Sequence, residues 1–232
     1  MKKLVSILLL ACCAWAADYK AGVARVNITP TTPIWMTGYG NRSHPSEGVL
    51  QDIWVKALAI EDSKHYRVVI VTSDLIGLPG QMTDLVSARI QKQYGLSRSQ
   101  LLFNSSHTHT GPLVKGNLEI MFELDPENRR IVDEYGAKLT ESLVSVIGAA
   151  LGKLAPAKLD FGQGEAGFAA NRRQFTTQKV QIGVNPAGPT DHSVPVLRVT
   201  APDGSLVAVL FGYACHNTTL TGQFYKISGD YA

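Results

Sequence analysis

Residues 67–74 read Arg-Val-Val-Ile-Val-Thr-Ser-Asp, and the fold is decided by what this run can do. Its β-branched core is that of a strand buried on both faces, ending at Asp74. From Gln81 to Tyr94 the apolar residues Met82, Leu85, Val86 and Ile90 recur at helical spacing, and Gly95 supplies a C-terminal stop. Leu101 to Asn104 is strand-like again. Strand, helix and strand in so short a span make a βαβ unit, with parallel strands and a right-handed crossover. The expected class is therefore α/β: mixed sheets with flanking helices and at least one right-handed βαβ unit.

Outward from this unit the pattern alternates. Upstream, Ala21 to Pro30 is an alternating strand closed by proline, and Trp54 to Glu61 is an apolar strand. Between them Pro30, Pro33, Gly38 and Gly40 make a loop carrying Trp35, Tyr39, Arg42 and His44, suited to a lid or one wall of a pocket. His44, with no other ligand type nearby, reads as solvated. Downstream, Glu127 to Lys153 is a long helix with a stripe of Ile131, Tyr135, Leu139, Leu143, Val146 and Ile147. Leu159 to Gly167 returns to strand and turn, and residues 183–189 form a loop. Val194 to Val199 and Leu206 to Tyr213, joined by Asp203-Gly204, read as a hairpin.

Composition is that of a globular protein, with 45% hydrophobic and 18% charged residues in 232. Lys2, Lys3, the apolar Leu4 to Ala11 and the small-x-small Ala14-Trp15-Ala16 read as a signal peptide over residues 1–16. The protein is expected to be exported, to the periplasm or beyond. Leu9-Leu10-Ala11-Cys12 also fits a bacterial lipoprotein box, which would leave Cys12 acylated at a membrane surface. Without the two leader lysines the 22 basic residues nearly balance the 19 acidic ones. No basic stripe remains, which argues against nucleic acid as a partner. Outside the leader only Cys215 is left, so no disulfide within the chain is expected.

The chemistry collects where apolar strands end in histidine. Ser105 to Pro112, Ser-Ser-His-Thr-His-Thr-Gly-Pro, follows one strand, and Cys215-His216-Asn217 follows another. On an extended chain residues i and i+2 share a side, so His107 and His109 are expected to face one pocket. Ligands in open α/β sheets gather at the carboxyl ends of parallel strands, which brings Asp74 toward the same crevice. Asp74 either accepts a hydrogen bond from a metal-binding histidine or caps the following turn. Three histidines, His107, His109 and His216, suit a catalytic zinc, which takes three protein ligands and leaves a place for water of lowered pKa. Arg172 is placed to stabilise an oxyanion. Cys215 as a nucleophile beside His216 is the other chemical reading, and it needs a kinked strand.

These residues resemble a known family. Ser106-His107-Thr108-His109-Thr110-Gly111-Pro112 is similar to the Ser-His-Thr-His-Ser-Gly-Pro signature of the neutral/alkaline, non-lysosomal ceramidases. The same family is resembled, in order, by Thr37–Gly40, Thr72–Leu75, Ala170-Asn171-Arg172, Gly212–His216 and Ile227–Tyr231. The resemblance implies a zinc-dependent amidohydrolase acting on the N-acyl bond of a ceramide-like lipid, with His107 and His216 as zinc ligands. It implies that His109 lies beside the hydrolytic water as a hydrogen-bonding or proton-transfer residue, and that Arg172, rather than Arg173, lies near the substrate carbonyl. A lipid-like N-acyl substrate goes with association at a membrane surface.

Thr110 stands where the family has serine, and Leu113-Val114 where a small glycine-rich pair is usual, departures that bear on substrate specificity. The family also takes a glutamate and a tyrosine from further along, with no counterpart before Ala232. Residues 17–232 are therefore expected to be the N-terminal part of the domain, with little activity alone. Two further readings stay open: another amide or ester as substrate on the same fold, and a noncatalytic envelope module with a vestigial site.

Overall fold

The computed structural model describes residues 19–232; the leader and its Cys12 box lie outside the described residues. Strands β1 (Tyr19–Asn27), β2 (Gly48–Val49), β3 (Trp54–Asp62) and β4 (Arg67–Ser73) precede helix α1 (Gly80–Tyr94) and strand β5 (Leu101–Ser105). Helix α2 (Pro126–Leu151) follows, then β6 (Ala155–Glu165), β7 (Arg173–Phe175), β8 (Val180–Ile182), β9 (Ser193–Thr200), β10 (Leu206–Phe211) and β11 (Lys226–Ile227). Seven of these strands form one mixed sheet in the order β10-β9-β6-β1-β3-β4-β5. The expected βαβ unit is β4-α1-β5, whose strands pair in parallel from Val69–Leu101 to Ser73–Ser105. The expected hairpin is β9-β10, antiparallel with a register shift between Leu206 and Ala208.

Both helices lie on one face. Met82, Val86 and Ile90 of α1 and Val132, Leu139, Leu143 and Ile147 of α2 share one buried cluster with Val55, Ala57, Ala59, Val69, Val71 and Leu101 of the strands. The helix ends are cut by local chemistry. Gly95 takes the left-handed φ of 72° that closes α1. Pro126 occupies the first turn of α2, and the Asp125 carboxylate accepts from the Asn128 N–H (2.8 Å).

The other sheet face differs from expectation. β4 alternates, with Val69, Val71 and Ser73 buried and Val68, Ile70 and Thr72 half-buried, rather than being covered equally on both sides. On this second face the sheet curls over itself. Val207 to Leu210 of β10 line a groove with Val23, Leu58 and Ile70, although β10 and β3 lie at separate places in the strand order. Among the described residues no helix is long and apolar enough to cross a membrane.

Candidate metal centre

His107, His109 and His216 meet where two segments leave the sheet. The β4–β5 ladder runs on past Ser105, Ser106 N–H donating to the Ser73 carbonyl (2.9 Å) and His107 N–H to that of Leu75 (3.0 Å). His107 then takes a left-handed φ of 60°, a sparsely populated region for any residue but glycine. Thr108 bridges in parallel to Asn217, and His109 N–H donates to the Asn217 carbonyl (3.2 Å). The two imidazoles therefore share a pocket because the chain turns at His107 and docks beside Asn217. The extended segment expected from their spacing is not what aligns them.

Buried hydroxyls and an amide fix this docking. Thr108 Oγ1 and Thr110 Oγ1 both donate to the Ser228 carbonyl (3.1 and 3.0 Å), and Asn217 Nδ2 donates to that of Gly229 (3.2 Å). Thr108, Thr110 and Asn217 are fully buried, and a buried polar group left unpaired is costly, so these bonds specify the arrangement. Leu113 and Val114 are also fully buried, in the core. Their bulk is packed into the core.

One ring nitrogen from each of the three histidines lies within 4.8 Å of the other two, with ring centroids 4.5 Å apart for His107–His216 and 4.9 Å for His109–His216. His107 Nδ1 lies 2.7 Å from the Ile76 carbonyl. A carbonyl only accepts, so Nδ1 carries the hydrogen and Nε2 keeps its lone pair for a metal. That outer partner is a backbone group and not Asp74, whose carboxylate accepts from Trp54 N–H (2.8 Å) and neighbours Lys56 (4.0 Å). Both ring nitrogens of His109 are buried without a hydrogen-bond partner among the described residues. Three imidazoles with unused nitrogens are a donor set that fits zinc.

Burial, then the charges of His216 and His107, lower the His109 pKa to about 4. Burial, then His107 and Arg173, also push His216 below its ordinary value. Both rings are thus neutral at pH 7, as a ligand or proton acceptor must be. The folded pKa of His109 is below its ordinary 6.5, so between those values the unfolded chain binds more protons. Stability of the metal-free protein is expected to fall as pH drops from about 6.5 toward about 4, and His109→Gln to flatten that fall in melts followed across the range.

The wall expected between Pro30 and His44 is held in place. Thr37 N–H donates to the Gly111 carbonyl (3.1 Å), Leu113 N–H to that of Trp35 (2.7 Å), and Tyr39 Oη to that of Leu220 (3.0 Å). Gly38 lies against His109 with φ of 100°, and a Cβ there would fall 2.6 Å from His109 Cγ. Gly38→Ala is expected to displace that ring at a cost of about 1–3 kcal/mol, read from urea denaturation midpoints. His44 stands apart from the cluster, stacked on Tyr225 at 3.8 Å.

Arg42 is the residue that residue type alone leaves in the wall without a role. It is buried, its Nη2 donating to the carbonyls of His109 (3.1 Å) and Phe224 (3.2 Å). Arg172 and Arg173 line a cleft of about 550 Å³ with His216, Cys215 and Tyr231. The charge of Arg173 acts on His216, and that of Arg172 on Tyr39, whose phenol burial and Asp230 nonetheless hold above its ordinary pKa. The Cys215 thiol donates to the His216 carbonyl (3.7 Å).

A family model described as neutral/alkaline non-lysosomal ceramidase, N-terminal, matches residues 19–232. The neutral ceramidase of Pseudomonas aeruginosa is 26% identical over 222 residues, 91% of this chain and 32% of that protein. That of Drosophila melanogaster is 31% identical over 100 residues, 42% of this chain and 14% of that protein. The crystal structure of the Pseudomonas aeruginosa enzyme superposes with a TM-score of 0.72 at 21% identity, over 92% of this chain and 34% of that one. A ceramidase complexed with C2 gives the same TM-score at 22% identity, over 92% of this chain and 33% of that one. These two structures carry the fold. The chain spans about a third of the length of the Pseudomonas relative.

Proposed function

Since this chain belongs to the neutral/alkaline non-lysosomal ceramidase family, matching it over residues 19–232, we propose that it supplies zinc ligands to a site hydrolysing the N-acyl bond of a ceramide-like lipid. The observation that carries the proposal is the convergence of one ring nitrogen from each of the three histidines within 4.8 Å, beside a cleft that holds two arginines. Zinc, when bound, supplies a Lewis acid and water acidified toward neutral pH.

The remaining steps belong to this chain's own residues. His107 and His216 hold the metal, His107 oriented through Nδ1 by the Ile76 carbonyl. His109, neutral and buried, accepts the proton that water gives up and returns it to the leaving amine. Arg172 faces the acyl carbonyl and offsets the negative charge that grows on its oxygen. The products are a fatty acid and a sphingoid base. The leader motif at Lys2–Ala16 supports action outside the cytoplasm, at a membrane surface where such a substrate resides.

The test pairs metal content with hydrolysis in the full-length protein. Stoichiometric zinc, loss of activity on chelation and recovery on zinc addition are expected, with N-acylsphingosine cleaved faster than simple esters. Full activity in a metal-free preparation would overturn the reading.

A further inference from the structure

We infer that Asp230 and Tyr231 are positioning residues for His216, gripping the backbone on both sides of it so that its imidazole is aimed before any metal arrives. This rests on the zinc reading above. On the C-terminal side of the histidine, the Asp230 carboxylate accepts from Thr219 N–H (3.2 Å) through Oδ1 and from Leu220 N–H (2.8 Å) through Oδ2. On the N-terminal side, Tyr231 Oη donates to the carbonyl of Cys215 (2.8 Å), the residue immediately before the histidine.

The grip is itself braced. Asp230 sits at φ of 62°, a left-handed conformation that aspartate tolerates better than most residues. Its own N–H donates to Ser228 Oγ (2.9 Å), and Oδ1 also accepts from Tyr231 N–H (2.7 Å). Ser228 is the residue whose carbonyl receives Thr108 and Thr110. One short segment thus ties the His107–His109 turn to the His216 loop.

The His216 loop needs such a tie because it has little regular structure of its own. Between β10 and β11 the chain has no helix or strand, only the Thr108–Asn217 bridge and local turns. A loop free to move would pay an ordering cost at each binding event, and outer partners of metal ligands commonly carry 10–100-fold in metal affinity.

The experiment measures zinc affinity of the full-length protein by competition with a chromophoric chelator, alongside thermal melting. Asp230→Ala is expected to weaken zinc binding roughly 10–100-fold, and Tyr231→Phe by a smaller factor in the same direction. Asp230→Asn, which keeps one acceptor oxygen, should recover part of the loss. Asp203→Ala is the control, because its carboxylate makes the same kind of backbone bond to Ser205 N–H (2.9 Å) in the β9–β10 turn; its zinc affinity should equal wild type. Should Asp230→Ala fail to fold, Tyr231→Phe, which deletes one hydroxyl, carries the test. Wild-type affinity in both Asp230→Ala and Tyr231→Phe overturns the inference while leaving the metal reading intact. So does a loss that Asp203→Ala reproduces at equal thermal destabilisation. A wild-type protein that takes up no zinc overturns both.

Discussion

His216→Ala and His107→Ala are each expected to strip zinc and hydrolytic activity from the full-length protein together, whereas His109→Ala keeps the zinc and loses the activity. The first two each delete an imidazole from a cluster in which one nitrogen per ring lies within 4.8 Å of the others. Removing a ligand outright should exceed the roughly 10–100-fold affinity loss typical of removing a ligand's outer partner. His109→Ala removes proton transfer, a loss of roughly 10²–10⁴-fold in rate. Measuring metal content by mass spectrometry beside turnover separates the roles. If His109→Ala sheds zinc as readily as the other two, all three imidazoles are ligands and the division between binding and proton transfer is wrong. Folding should be preserved in all three variants, since the docking of the two segments depends on Thr108, Thr110 and Asn217 rather than on the rings.

That dependence marks the boundary of what residue order reveals. The β4-α1-β5 unit was legible because β-branched and helical periodicities are local properties, and so were the strand ends at which the histidines lie. The reason the histidines converge was not. It rests on a left-handed His107 and on two threonines that donate to a carbonyl some 120 residues away, and a backbone acceptor leaves no trace in side-chain identity. The same limit explains Asp74. A carboxylate at a strand end suits either a metal-binding histidine or the cap of the following turn, but the Trp54 N–H takes it and the Ile76 carbonyl accepts from the His107 ring. The half-buried second face of β4 has a related cause, because a β-branched run tells of apolar surroundings and not of which sheet face the helices cover. Leu113-Val114 shows the converse: a departure from family pattern beside the histidines is, in space, core.

Gly22→Ala is expected to be the most destabilising single-methyl change outside the site. Gly22 is buried in β1 opposite Ala59 of β3. A Cβ there would lie 2.2 Å from the Ala150 carbonyl oxygen, 2.8 Å from Lys153 C and 2.9 Å from Leu154 N. All three are backbone atoms at the end of α2 and in the turn leading to β6, where Lys153 N–H donates to that same Ala150 carbonyl (3.1 Å). No rotamer change relieves such an overlap. Either β1 withdraws from the helix, opening the core between α2 and the sheet, or the end of α2 unwinds. Overpacking usually costs about 1–3 kcal/mol, and a rigid obstacle on this scale should cost about 3–5, a large share of the roughly 5–15 kcal/mol that holds a domain together. Gly162→Ala in β6 is the matched comparison, since a Cβ there meets nothing within 4 Å. It should leave stability within about 1 kcal/mol of wild type, on the favourable side through a less flexible unfolded chain. Urea denaturation of the two variants therefore isolates the close approach of β1 to α2. Equal midpoints for both would mean that the sheet and helix do not meet as closely as the positions of Gly22 and Ala150 require.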